Sequence, residues 1–246
     1  DECKPDRLLA DGGVRRARMP YTQGLYRNVK RIVVNNVLYI ANSGSNDVSA
    51  IDLDTGNAQG NIDVGSNPRG LVLSRDGSFL YVHNVIDGTL TIIQTSNLTI
   101  LDVLPISDVT IPIDILIGAE LFHTATDSRL GNNNAISCAS CHFDGQSDGQ
   151  IWHGFAEGAR NTPPLYDLLN TAPYTWTGLW DEVADVELKI RGLQAGDGLI
   201  NSRIFAPDGE AHSGLSPDLD TLVAYLHSLD SPDTPIRQEA DRVARG

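Results

Sequence analysis

Cys138-Ala-Ser-Cys141-His142 lies near the middle of the 246-residue chain, and the rest of the sequence is interpreted around it. The pattern C-x-x-C-H is typical of a c-type haem attachment site, in which two thiols add across the haem vinyl groups and the histidine reaches the iron. A zinc site would need two more ligands at matching spacing, but Cys3 is the only other cysteine. A redox dithiol would need a βαβ setting, which the flanking sequence does not predict. We therefore expect one covalent haem c.

The composition is strongly acidic, with a formal charge of −14 at pH 7. This charge argues against nucleic acid or an anionic membrane surface as a partner, and no run of about eighteen apolar residues could span a membrane. Because haem c is attached outside the cytoplasm, we expect a mature extracytoplasmic protein (periplasmic, cell-surface or extracellular) whose signal has been removed. Cys3 is then an odd thiol, either bonded to another chain or idle.

The first 110 residues contain an internal repeat. Leu-Tyr-Ile-Ala-Asn at 38–42 aligns with Leu-Tyr-Val-His-Asn at 80–84, an offset of 42 residues, and the apolar runs at 48–51 and 90–93 keep the same offset. Each unit has short β-branched runs broken by Asn-Asn, Asp-Gly or Gly-Ser turns, which indicates hairpin-linked strands. A period near 40 with about four strands per unit is typical of a propeller blade. The stretch 64–84 resembles the YVTN-type β-propeller repeat.

The predicted fold class is α+β and multidomain, with an all-β part of about two propeller-like blades followed by a mainly α cytochrome c domain. We predict an N-terminal arm (1–27), the repeats (28–110), a mono-haem domain (111–232) and a C-terminal tail (233–246). Two blades are too few for a closed propeller, and open edges are normally covered. The two units could pack face to face, the rest of the chain could cover them, or another chain could add a strand; we favour a partner chain.

Two amphipathic helices flank the motif. Residues 114–123 form a short helix in which Gly118 and Phe122 share a face. Ser216-Pro217-Asp218 is an N-cap followed by a proline at the first helical position. The apolar stripe after it has helical spacing and consists of Leu219, Leu222, Val223, Leu226 and Leu229. The pair resembles the terminal helices of the cytochrome c fold.

The second axial ligand determines what the iron can do. The only methionine, Met19, lies far upstream, so the usual methionine ligand, which raises the reduction potential, is missing. The remaining possibilities are an open site or one of the histidines outside the motif, which are His153, His123, His212, His227 and His83. His83 lies on a predicted strand and is more typical of a structural residue than of a ligand.

The segment His153-Gly-Phe-Ala-Glu-Gly-Ala-Arg-Asn161-Thr-Pro163, followed by Trp176-Thr-Gly178, resembles the N-terminal haem domain of bacterial di-haem cytochrome c peroxidases. In that family a histidine at this spacing is the distal ligand, so the resemblance implies that His153 is the second ligand. The eleven residues from His142 to His153 extend at most about 36 Å, which is enough to pass around the haem edge. The resemblance covers about 115–200.

Six further residues are predicted haem contacts. Arg160 is expected to bind a haem propionate through a charge-assisted contact. Trp176, Phe122 and Leu165 are expected to pack against the ring, together with Tyr174 and Trp180. The loop Asp144–Asp148 is acidic enough to suggest calcium, but it lacks a calcium-loop template with a bidentate glutamate.

We predict an electron carrier rather than an enzyme, because the chain has one C-x-x-C-H where the peroxidases have two haems. A bis-His haem would relay electrons between redox partner proteins or neighbouring copies of the chain, in an oligomer or filament. The alternative is a peroxidase-like haem enzyme with an open or labile distal site. A third possibility is that the β-repeats bind a protein or glycan and the haem domain is a passenger.

Overall fold

The computed structural model describes residues 30–155, 158–201 and 210–231. The predicted arm (1–27), which contains Cys3 and Met19, and the predicted tail (233–246) lie outside these residues. The described chain begins with β-sheets and continues as a mainly helical region, an α+β arrangement. We call residues 30–105 the sheet region and the described residues from 113 to 231 the helical region. The exact domain boundaries proposed above stay a prediction.

The sheet region consists of two four-stranded antiparallel sheets, each a meander of consecutive strands. Strands β1 to β4 form the first sheet and β5 to β8 the second. Their bounds are β1 Lys30–Val34, β2 Val37–Asn42, β3 Asp47–Asp52, β4 Ala58–Asp63, β5 Pro68–Leu73, β6 Phe79–Asn84, β7 Thr89–Gln94 and β8 Thr99–Pro105.

The sequence repeat is also a repeat of geometry. The strands β2 and β6, and likewise β3 and β7, begin and end at positions 42 residues apart. The pairing of the third strand with the fourth shifts between Ala50 and Ile51 in the first sheet and between Ile92 and Ile93 in the second, again at the same offset. A β-bulge strengthens the local twist, so both sheets curve at equivalent points.

An asparagine with the same bonding pattern also recurs at this offset, partly buried at 42 and fully buried at 84. The Nδ2 of Asn84 donates to the hydroxyls of Thr89 (2.9 Å) and Thr91 (2.8 Å). In the first sheet, Asn42 donates to Asp47 (2.6 Å) and Ser49 (2.7 Å). Each asparagine thus lies at the end of one strand and bonds to the start of the next strand of the same hairpin, β2 to β3 and β6 to β7.

The two sheets pack against each other around one apolar core. Tyr39 and Leu80 are its largest fully buried side chains, one from each sheet. The core also contains Ile32, Val48, Ala50, Ile62, Leu73, Val82 and Ile93. Strand β8 is exposed along its whole length. The described sheets form no closed propeller, so the assignment of these repeats as propeller blades stays a prediction.

The helical region contains four helices and a short hairpin. The helices are α1 (Ile113–His123), α2 (Cys138–Cys141), α3 (Val186–Gly192) and α4 (Pro217–His227), and the hairpin pairs β9 (Ile151–Trp152) with β10 (Arg160–Asn161). No helix in the described part of the chain is long and apolar enough to cross a membrane.

Helices α1 and α4 cross at Gly118, which has no side chain to hold them apart. A Cβ built on Gly118 would lie 2.7 Å from the Cβ of Tyr225 and would also collide with the carbonyl group of Thr221. The ring of Phe122 lies 5.1 Å from that of Tyr225, centroid to centroid. At the start of α4, the hydroxyl of Ser216 accepts a hydrogen bond from the Leu219 amide. The predicted helix pair and its N-cap are confirmed.

One arginine joins the two regions. Arg69, at the irregular start of β5, forms an ion pair with Asp144 of the helical region. Its Nη2 is 3.0 Å from His123 Nε2, and its guanidinium lies 5.0 Å from the centre of the Phe143 ring. The Nε of Arg69 donates to Asn67 Oδ1 (2.9 Å), which holds the side chain in place from the sheet side. The sheets therefore contact the segment directly after the C-x-x-C-H motif.

Candidate haem-binding site

The two thiols of the motif lie on the single turn of α2. Residues three apart in a helix share a face, so Cys138 and Cys141 point in similar directions. Neither thiol is in a disulfide. Burial raises the pKa of both to about 11, whereas redox-active dithiols have a lowered pKa that exposes a thiolate. The pair therefore does not have the electrostatics of a redox dithiol.

His142 directly follows α2 and is oriented by a backbone carbonyl. Its Nδ1 lies 3.0 Å from the carbonyl oxygen of Pro163. A proton on Nδ1 donates to that oxygen, which leaves Nε2 as the atom with a lone pair. Burial lowers the pKa of His142 to about 4, so the ring is neutral at physiological pH. A neutral imidazole whose other nitrogen donates to a carbonyl is the usual form of a metal ligand.

The hairpin β9–β10 is anchored next to this carbonyl. The indole Nε1 of Trp152 donates to Asp148 Oδ2 (2.9 Å) and to Thr162 Oγ1 (3.1 Å). Thr162 immediately precedes Pro163, whose carbonyl orients His142. Asp148 also accepts from the Gln150 amide at 2.8 Å, so this acid serves as a loop anchor.

His153 follows β9 directly and is exposed. Successive residues of a strand point to opposite faces. Strand β9 ends at Trp152, so this alternation places only Ile151 and Trp152 on opposite faces. The role of His153 as second axial ligand stays a prediction.

A cavity of about 600 Å³ lies beside the hairpin, and two predicted haem contacts line it, Arg160 and Trp176. The indole of Trp176 donates to the Asn161 carbonyl (2.9 Å) but is 56% exposed, and Ile151 is 66% exposed. Large apolar side chains exposed around a concave surface are typical of binding sites. The cavity is lined by Gly149, Ile151, Ala159, Arg160, Asn161 and Trp176.

Phe122 and Leu165 lie deeper. Phe122 is only 1% exposed and belongs to the core of the helical region. Cys138 and Leu165 pack against that same core, and the Leu165 amide donates to the Gly145 carbonyl at 2.7 Å. The structure thus brings both residues and the first thiol into one apolar cluster. Direct contact of either side chain with haem stays a prediction.

The other histidines are placed differently. His123 uses both ring nitrogens, Nδ1 at 2.8 Å from the Ala119 carbonyl and Nε2 towards Arg69. His212 is fully buried with Nδ1 at 2.8 Å from Asp185 Oδ1. His83 lies on β6, in agreement with the predicted strand, and is exposed, and His227 ends α4. The hydrogen bonds of His123 make it a poor iron ligand.

The thiols and the proximal imidazole present here fit a haem c. The donors that would hold it are Cys138, Cys141 and His142; none of these three residues lines the cavity beside the hairpin. Sequence reasoning missed the residues that support this group, namely Arg69, Asp148 and Thr162 and the carbonyl of Pro163. Thr162 and Pro163 lie in the segment 153–163 and Asp148 in the acidic loop, but no pattern predicted these supporting roles, because each residue acts through a contact that only folding creates.

The family model for di-haem cytochrome c peroxidase matches residues 113–197. This stretch starts at the first residue of α1 and contains the C-x-x-C-H motif, His153, Arg160 and Trp176. The match supports a haem-binding cytochrome domain in this part of the chain. It covers about a third of the chain and leaves the sheets and α4 outside.

No curated protein matches the chain. Among solved structures, the chain is similar to the hydrazine synthase of Kuenenia stuttgartiensis, with 23% identity over 30% of this chain and 21% of that one, at a TM-score of 0.29. It is also similar to the dihydro-heme d1 dehydrogenase NirN in complex with DHE, with 27% identity over 30% and 16% of the two chains, at a TM-score of 0.28. The matched part therefore spans about a fifth or less of those proteins.

Proposed function

We propose that the chain is an electron-transfer c-type cytochrome with one haem c, covalently attached through Cys138 and Cys141 and ligated by His142 and His153. The observation that supports it best is the common anchor of the two imidazoles. The Pro163 carbonyl orients His142, and the hairpin tied at Thr162 carries His153. Both ligands thus belong to one short, cross-linked segment of chain.

The other side chains of the site have binding and shielding roles in this proposal. Arg160 pairs with a haem propionate, while Trp176, Leu165 and Phe122 exclude water from the ring. Haem iron supplies one-electron chemistry, and two imidazoles keep its potential below that of a His/Met pair. With His153 as a second ligand, the haem would bind neither peroxide nor oxygen. These properties suit electron relay outside the cytoplasm.

The relay is proposed to run between copies of the chain or to redox partner proteins. Strand β8 supports this part of the proposal, because its whole length is exposed and it carries several large apolar side chains. An exposed apolar edge strand is a template for pairing with another chain. Measuring the native mass of the haem-loaded protein with and without a reductant tests assembly and any role of Cys3. A monomer at all concentrations would contradict the relay through neighbouring copies.

Ligation is tested by absorption spectra of the purified protein and of His153→Ala. The wild type should be low-spin in both oxidation states, and His153→Ala should show a high-spin ferric band. His83→Ala is the matched control, because it removes an exposed histidine from β6 and should leave the spectrum unchanged. A high-spin wild type, or a methionine–iron charge-transfer band, would contradict bis-His ligation.

The second candidate is a peroxidase-like enzyme with a labile distal site. Two observations favour it, the family match and the exposure of His153 at the end of a two-residue strand. In that case the resting ferric protein should bind cyanide at micromolar concentration. No cyanide binding to the wild type, together with binding to His153→Ala, would favour the electron carrier.

A further inference from the structure

Three side chains with metal-ligating atoms converge between the starts of α3 and α4. Glu182 and Asp185 lie just before α3, and His212 lies in the loop before α4. Their candidate donor atoms all lie within 4.8 Å of one another. None of the three belongs to the predicted haem site, and no sequence motif marks them.

The cluster is buried on one side and reaches solvent on the other. The side chains of His212 and Asp185 are 0% and 1% exposed, whereas that of Glu182 is 24% exposed. The Nδ1 of His212 faces both carboxylates, at 2.8 Å from Asp185 Oδ1 and 3.9 Å from Glu182 Oε1. Glu182 is therefore the member of the cluster that is in contact with solvent.

One oxygen of the buried carboxylate lacks a partner. Asp185 Oδ2 is inaccessible to solvent and makes no hydrogen bond with any residue that the structure describes, although the other oxygen of the same group faces His212. Buried polar atoms are almost always satisfied, so an orphaned carboxylate oxygen calls for an explanation such as an ion.

The remaining carboxylate is already held in position. Glu182 accepts hydrogen bonds from the amides of His212 and Ser213 and from the Ser213 hydroxyl. Such bonds orient metal-ligating carboxylates in characterised sites. They also tie the loop of His212 to the segment of Glu182, so the donor set does not depend on a flexible side chain.

We propose that Glu182, Asp185 and His212 form a binding site for one Zn²⁺ ion, distinct from the haem. Imidazole and carboxylate are both ligand types that bind Zn²⁺ in proteins, and sites with three protein ligands take water as the fourth. The imidazole disfavours Ca²⁺ and Mg²⁺, which take oxygen ligands. The ion cross-links the start of α3 to the loop before α4. This proposal is independent of the proposed electron transfer.

The test uses the haem-loaded protein after removal of loosely bound metals with a chelator. Titration with ZnCl₂ by calorimetry, with elemental analysis of zinc against iron, should give one Zn²⁺ per chain. Asp185→Asn preserves the shape of the side chain and should weaken binding at least about tenfold. Asp181→Asn removes the same charge from an exposed neighbour and should bind as the wild type does.

Thermal unfolding gives a second readout, since an ion that binds only the folded state raises the midpoint. Zn²⁺ should raise the midpoint of the wild type and of Asp181→Asn but not that of Asp185→Asn. If Asp185→Asn does not fold, Glu182→Gln, on the solvent side, replaces it with the same expected loss. The proposal is overturned by no saturable zinc binding, by equal binding to the Asp185 and Glu182 variants, or by Ca²⁺ displacing Zn²⁺ at similar concentration.

Discussion

The sheet region and the helical region are stabilised in different ways. The sheets repeat one pattern of strands, bulges and asparagine bonds at a single offset, and their contacts follow from strand pairing. The helical region has a helix of only four residues at its centre and a two-residue hairpin beside it. There, single side chains bonded to backbone or to each other hold irregular loops, as Trp152 does with Thr162 and His142 with Pro163.

This difference shows where function can be placed. In the repeated sheets, equivalent contacts recur in both units and set the strand geometry. An irregular loop cluster can position donors with precision, but each support is unique. All three tryptophans, at 152, 176 and 180, lie in the helical region, so tryptophan fluorescence reports on that region alone. Circular dichroism of the β-structure reports on the other.

The largest effect is expected from removing the haem attachment. Cys138→Ser/Cys141→Ser should abolish covalent haem completely, because no thiol remains to add to the vinyl groups. The helical region should lose its ordered tryptophan signal, while the β-signal of the sheet region persists. Mass measurement under denaturing conditions and the two spectroscopic signals check this. Cys3→Ser is the control and should keep the haem; retained covalent haem in the double variant would contradict the attachment.

Leu80→Ala should strongly lower the free energy of unfolding of the sheet region. Leu80 is fully buried between the sheets, and truncating a buried leucine costs about 2–5 kcal/mol of the free energy of unfolding. Urea unfolding followed by circular dichroism measures the loss. Leu101→Ala, on the exposed strand β8 with 52% exposure, should change stability by no more than about 0.5 kcal/mol. Equal losses in the two variants would mean that the sheets do not share this core.

Acidification should destabilise the fold through His123. Burial lowers its pKa to about 4, whereas the unfolded chain keeps a value near 6.5. Between these two pH values the unfolded state binds a proton that the folded state does not, so stability falls as the pH falls from about 6.5 to 4. One pKa unit corresponds to about 1.4 kcal/mol, which limits the loss to roughly 3 kcal/mol. Urea unfolding at several pH values should show a flatter dependence for His123→Gln; an identical slope would exclude His123 as the cause.

Gly118→Ala should weaken the helical region. The added methyl group meets α4, and overpacking typically costs about 1–3 kcal/mol. Gly192→Ala is a matched control, because nothing lies near the equivalent methyl at the end of α3. Tryptophan fluorescence in urea should shift for the first variant only. A stable Gly118→Ala protein would mean that the helices separate without cost.

Arg69→Met should have the smallest effect on the free energy of unfolding. It should have the clearest effect on whether the sheet region and the helical region unfold together. The ion pair with Asp144 is partly solvent-exposed, so its loss is expected to cost only about 1 kcal/mol. The fluorescence and circular dichroism transitions should separate, because the two regions lose their shared side chain. Arg69→Lys keeps the positive charge but not the planar guanidinium group with its several N–H donors. It should separate the two unfolding transitions less than Arg69→Met does. Coincident transitions in Arg69→Met would show that other contacts couple the regions.

Much of the architecture was predictable from short patterns. The offset between Leu38 and Leu80 predicted two equivalent hairpin units, and the Ser216-Pro217 pair predicted where α4 begins. Both depend on neighbouring residues, so they can be read along the chain. The supports of the site depend on partners that are distant in sequence. Arg69 and Asp144, or His142 and Pro163, have no spacing rule that connects them.

The amino-acid order by itself determined the thiol and imidazole chemistry of 138–142, the strand repeat and the acidic charge, because these properties reside in residue types and local spacing. Only the tertiary structure decided which nitrogen of His142 is oriented by a carbonyl, that His123 is engaged with Arg69, and that Asp185 meets His212. The physical reason is that hydrogen bonding and burial depend on distances in space, which chain folding brings about and local sequence does not encode.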